Sequence, residues 1–112
     1  MKAALLETPG PASNLRYGDL PDPTPKANEI VVRMAAAALN PIDVYIRAGT
    51  IPLNLPKPYV TGTDVAGTVV AAGPDAERFK VGDRVWASNM GLMGRQGSCS
   101  ELVCASEDWF YP

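Results

Sequence analysis

Apolar residues along this chain come in short runs, and proline, glycine and aspartate cut each run off before it reaches helical length. Lys2–Glu7 stops at Thr8-Pro9-Gly10-Pro11, and Leu15–Leu20 stops at Pro21-Asp22-Pro23, so both read as short strands. Glu29–Leu39 is the longest candidate strand. Alternation would put Val31, Arg33, Ala35, Ala37 and Leu39 on one face and Ile30, Val32, Met34, Ala36 and Ala38 on the other. Its alanines are also good helix formers, so the pattern leaves a helix open there.

Asn40 to Gly49 reads as a short helix with both ends marked. Asn40 suits the N-cap, Pro41 the first turn, Asp43 the positive end of the dipole and Arg47 the negative end, with Gly49 as the left-handed stop. Ile42, Tyr45, Ile46 and Gly49 recur at i, i+3, i+4 and i+7 and share a face. Ile51–Tyr59 holds three prolines and is expected as an extended loop; Val65–Ala72 is a β-rich run closed by Gly73-Pro74-Asp75. Phe79-Lys80-Val81-Gly82-Asp83 turns into a strand at Arg84–Ala87, with hairpin-like pairing expected around it. Asn89–Gly97 is a glycine-rich loop, Ser100–Ala105 another strand, and the chain closes on Trp109, Phe110 and Tyr111, for which cover from a partner subunit or further chain is expected.

Composition narrows the fold. The 112 residues include 10 glycines and 11 prolines, which disfavours long helices, and 46% hydrophobic with 20% charged residues suits one modest core. Residues 1–112 therefore read as a single, mainly β domain, a barrel or compact sandwich with one or two short helices. The net charge of −2 is spread evenly, so no basic stripe invites nucleic acid. The longest apolar stretch, Met34–Leu39, is far short of the ~20 residues of a membrane span, and a soluble, cytoplasmic protein is the expectation.

The residue inventory excludes chemistry as well. There is no histidine, which removes the commonest general base and the usual non-thiolate zinc ligand. Cys99 and Cys104 stand at an odd spacing, on opposite faces of any strand, so no disulfide joins them. Neither has a cationic neighbour in sequence to activate a thiolate. Gly91-Leu92-Met93-Gly94-Arg95-Gln96-Gly97 has the wrong spacing for a phosphate loop and no helix after it.

Four segments together resemble a known family: Met1-Lys2-Ala3, Ala38–Gly49, Gly62-Thr63-Asp64-Val65-Ala66-Gly67-Thr68-Val69, and Phe79-Lys80-Val81-Gly82-Asp83-Arg84-Val85. In order and spacing they are similar to the N-terminal, GroES-like catalytic domain of the medium-chain dehydrogenase/reductase superfamily, in its zinc-independent quinone oxidoreductase branch, the relatives of zeta-crystallin. The resemblance implies a GroES-like, partly open β-barrel. Zinc-dependent members place a cysteine at the position of Asn40 and a histidine-glutamate pair at Thr63-Asp64, so the resemblance implies metal-free chemistry. It also implies NADPH as cofactor, held mainly by a Rossmann domain that this chain lacks, and a quinone or enone as substrate. The 112 residues then look like the catalytic half of a longer enzyme, inactive alone, with a homodimer possible.

By the same resemblance, Asn40 and Tyr45 line the nicotinamide and substrate side of an interdomain cleft and are the expected catalytic residues, Asn40 doubling as a helix cap. Ile42 would supply apolar wall, and Thr63 and Asp64, at the vacated zinc positions, would lie near the cleft. Ile51 departs from the pattern, since many relatives carry a second cleft tyrosine close by. Asp43 and Arg84 read as structural. Two alternatives stay open: a 2-enoyl thioester reductase of the same superfamily, and a stand-alone barrel used for binding or oligomerisation, with Asn89–Gly97 as its mobile contact.

Overall fold

The computed structural model describes residues 1–112 as eight strands, one α-helix and two single-turn 3-10 segments. In chain order the elements are β1 (Lys2–Leu6), β2 (Leu15–Asp19), β3 (Glu29–Ala36), α1 (Pro41–Ala48), β4 (Tyr59–Val60), β5 (Val65–Ala72), β6 (Arg84–Ala87), β7 (Leu102–Ser106) and β8 (Phe110–Tyr111). The 3-10 turns are Ala12–Asn14 and Glu107–Trp109. No helix is long and apolar enough to cross a membrane.

Two antiparallel sheets form, β2-β1-β4 and β7-β3-β5-β6-β8. A bridge between Ala3 and Ser100 joins them, reinforced by Ala4 N–H to Cys99 O and Glu101 N–H to Lys2 O. The result is the partly open, GroES-like half-barrel. The expected pairing after Gly82 is present as β5 against β6, running from Val65↔Ala87 to Thr68↔Arg84, with residues 73–83 as the connection.

Alternation in these strands decides what is buried. Val65 and Val69 on β5, Val85 and Ala87 on β6, and Val103 and Ala105 on β7 point into one core with Ile30, Val32, Met90 and Phe110. Two smaller clusters lie behind it, one of Ala3, Leu5 and Val60 and one of Leu6, Ile46 and Tyr59. Removing a side chain such as Phe110 from water contributes about 1.5–3 kcal/mol. Gly67 permits the close β3–β5 approach, because a Cβ there would overlap the Arg33 carbonyl oxygen.

Three expectations change. β3 ends at Ala36 rather than Leu39, because its ladder with β5 is bulged and runs out at Ala36↔Ala66. Ala37 to Leu39 then run exposed into α1, with Leu39 81% exposed. The terminal aromatics find much of their cover within the chain. Phe110 is fully buried and pairs with Ala87, Trp109 lies under the Arg95 guanidinium at 3.9 Å, and Tyr111 stacks on Trp86 at 4.7 Å between ring centroids. Lastly, Asn89–Gly97 is fastened rather than free. Met90 is buried in the main core, Tyr59 Oη donates to Gly91 O at 2.9 Å, and Gln96 bridges Val60 N–H and Pro58 O.

Candidate active site

The site begins at the head of α1. Asn40 keeps an extended backbone (φ −120°, ψ 158°) and starts the helix, and Pro41 follows where its missing N–H costs nothing. Asp43 Oδ2 accepts from the Asn40 backbone N–H at 2.8 Å, one arm of a capping box. At the far end Gly49 takes φ 82°, its N–H donates to Ile46 O, and Arg47 Nη1 donates to Gly10 O at 2.6 Å.

The Asn40 amide then reaches across the fold. Its Nδ2 donates to Asp64 Oδ2 at 2.7 Å and to Thr63 Oγ1 at 3.3 Å. A carboxylate can only accept, so Asp64 identifies Nδ2 as the atom facing it, and the hydroxyl of Thr63 serves as the second acceptor. Thr63 is buried, and its carbonyl accepts from Met90 N–H at 3.0 Å, which ties this corner to the 89–97 loop. Three of the residues singled out in the sequence, Asn40, Thr63 and Asp64, thus meet in one hydrogen-bonded cluster.

The other three lie apart from it. Tyr45 is half exposed, and of the residues that share its helical face Ile46 alone is fully buried. The reason is angular: Ile42 and Ile46 stack at i, i+4, and Tyr45 stands about 100° round the axis from Ile46. Ile42 packs against the cluster of Leu6, Ile46 and Tyr59. Ile51 is half buried in the loop after α1.

Asp64 also faces outward, into a groove of about 480 Å³ lined by Ala36, Ala37, Ala38, Trp86 and Ser88. The alanines keep it wide, and Trp86, half exposed and backed by Tyr111, forms its aromatic wall. This groove went unread in the sequence. Its only signal was the apolar Trp86 at an outward position of β6.

Behind the site lies a buried polar layer that the sequence also did not disclose. Asp43 is 6% exposed and its Oδ1 has no hydrogen-bond partner. Burial, and next the Asp43 charge, push the Tyr59 phenol up to about 12, so it stays a neutral donor to Gly91 O. Burial likewise raises the Cys99 thiol, and with the Glu29 carboxylate nearby it pushes Cys104 up to about 12. Both cysteines are free, and both are poor thiolates. No group of three or more histidine, cysteine, aspartate or glutamate side chains converges anywhere in the domain.

Known proteins match this chain along most of its length. The alcohol dehydrogenase GroES-like domain family matches residues 26–112. A chloroplast envelope quinone oxidoreductase homolog of Arabidopsis thaliana is 41% identical over 100 residues, 88% of this chain and 30% of the relative. A quinone oxidoreductase of Pseudomonas syringae superposes with a TM-score of 0.87 at 36% identity, over 98% of this chain and 32% of that one. A mycobacterial protein solved in complex with NADPH superposes with a TM-score of 0.84 at 33% identity, over 100% of this chain and 32% of that one. The chain spans under a third of the length of each of these three.

Proposed function

The chain belongs to the alcohol dehydrogenase GroES-like domain family, in its quinone oxidoreductase branch, and on that footing we propose that it is the substrate-side domain of an NADPH-dependent, zinc-independent quinone or enone oxidoreductase. The observation that carries this reading is the Asn40–Thr63–Asp64 cluster at the head of α1, opening through Asp64 onto the alanine-floored groove.

The donor set suits a neutral ring better than a metal. Zinc asks for three or four nitrogen, sulfur or carboxylate ligands. Here one carboxylate is already engaged by an amide, the chain has no histidine, and no ligating trio converges. A nicotinamide, by contrast, needs a flat slot and neutral polar neighbours, and small alanines beside an uncharged amide offer both.

NADPH, when bound, supplies a hydride, and the remainder of the cofactor is assigned to a domain outside these 112 residues. The tasks left to this chain are to seat the acceptor ring, to exclude water and to polarise the acceptor oxygen. Tyr45 is the candidate donor for that oxygen, since its half-exposed hydroxyl enters none of the side-chain hydrogen bonds of the domain. Asn40, anchored by Asp64, is the candidate ring contact.

The test is NADPH-linked reduction of 1,4-benzoquinone by the polypeptide isolated from its native source, with its intact mass measured alongside. A mass well above 11.9 kDa and turnover that falls in Tyr45→Phe and Asn40→Ala support the reading. A native mass of 11.9 kDa, or turnover unchanged in both variants, overturns it.

A further inference from the structure

A smaller cavity, of about 160 Å³, lies at the opposite end of α1 from the Asn40 corner, between the end of β1 and the proline-rich loop that follows the helix. Its walls are Leu6 and Tyr59, both buried, with Pro9, Leu53, Leu55 and Pro56. It shares no lining residue with the groove at Asp64, and none of Asn40, Ile42, Tyr45, Ile51, Thr63 and Asp64 lines it.

The walls are held apart by what they are fastened to. Leu6 and Tyr59 oppose each other across β1 and β4, so the floor is part of a sheet. On one side the Pro9-Gly10 segment is tied to the end of α1 in both directions: Gly10 N–H donates to Arg47 O at 2.8 Å, and Arg47 Nη1 donates to Gly10 O at 2.6 Å. Gly49 lets the chain leave the helix close to that segment, since a Cβ there would come 3.2 Å from Pro9 Cβ. Pro9 and Pro56 have fixed φ angles and no rotatable side chain with which to fill the space. A hollow framed in this way is formed before any ligand arrives.

Its interior has nothing polar to offer. The Tyr59 hydroxyl already donates to Gly91 O at 2.9 Å. At the mouth, the Glu7 carboxylate is taken by Arg16 at 2.7 Å, and Lys57 stands in solvent. A polar group carried inside would give up water and gain no partner, whereas hydrocarbon gains contact on every side. Apolar cavities of about 150 Å³ take up a single benzene ring, and this one matches them in size and lining. We infer that the domain carries a second binding site here, for an uncharged, apolar small molecule of the size of one six-membered ring. The site is separate from the hydride-transfer reading, and neither depends on the other.

The probe is fluorobenzene, titrated against the full polypeptide and followed by the broadening of its fluorine NMR signal. Saturable binding with a Kd below about 10 mM is the expected result. Leu55→Trp fills the cavity and abolishes binding. Leu53→Ala, at an exposed part of the wall, strips away hydrocarbon contact and weakens binding at least about threefold. Trp86→Ala, on the Asp64 groove, leaves the affinity unchanged. The urea midpoint is measured for each variant, and if Leu55→Trp proves unfolded, Leu53→Ala decides. Absence of saturable broadening in the wild type, an affinity unchanged in Leu53→Ala, or binding lost in Trp86→Ala overturns the site.

Discussion

The sheet core around Phe110 and the polar corner at the head of α1 sit in one small domain, yet they hold together by different means. The core is made by repetition: Val65, Val69, Val85, Ala87, Val103 and Ala105 alternate inward on neighbouring strands, and each contributes by area removed from water. No single partner matters much to any of them. The corner is made by pairing. Asn40 needs Asp64 and Thr63, Asp43 serves the backbone of Asn40, and Tyr59 needs Gly91, each through one directed bond. Apolar packing tolerates approximate fit, while a hydrogen bond needs a particular donor, acceptor and angle, so the corner fixes one arrangement of its residues and the core supplies the stability.

That contrast makes graded predictions. The largest effect belongs to the core: Phe110→Ala empties a fully buried site and costs about 3–5 kcal/mol, read as a lower urea midpoint at unchanged slope. A loss below about 1 kcal/mol would mean that β8 is not part of the cooperative core. Asp43→Ala in the corner removes one arm of the capping box and costs about 1 kcal/mol, with helical content reduced only at the start of α1. Tyr59→Phe removes the bond to Gly91 O and costs a comparable or smaller amount, about 0.5–1.5 kcal/mol.

Tyr59 also gives a pH test with a definite sign. Its folded phenol is raised to about 12, above the ~10 of an unfolded tyrosine, so its contribution is complete below pH ~10 and is lost as pH climbs toward 12. Stability measured from pH 9 upward should fall more steeply in the wild type than in Tyr59→Phe; parallel curves would show that the phenol is not buried as described. The smallest effect is at the surface. Lys2 and Asp19 pair at 2.7 Å but are both well exposed, and Asp19→Asn should lower the urea midpoint only slightly at low salt and not at all in high salt.

Much of the core was legible in advance because a strand's inward face follows from the order of its own residues. β1, β2, β5 and β6 were each read to within a residue or so. The capped helix was legible for the same reason, since Asn40, Pro41, Asp43 and Gly49 act within one or two turns of each other. The end of β3 was not, because it depends on a bulged ladder with β5, a partner 30 or more residues away. The exposure of Tyr45 was not legible either, because a helical period gives relative angles and not which flank of the stripe meets the barrel.

What the sequence determined by itself is therefore local and additive: short strands between prolines and glycines, one helix with marked ends, a mainly β domain, and a residue inventory without histidine. Its motifs also pointed to the family that the comparisons then matched over residues 26–112. Only the tertiary structure decided that Asn40 bonds to Asp64, that Arg95 lies over Trp109, and that the 89–97 loop is fastened to Tyr59 and Gln96. Such contacts depend on how the sheets and α1 lie against one another. A directed bond between residues far apart in sequence has no local period to announce it, and it forms only once the apolar core has brought its two ends within reach.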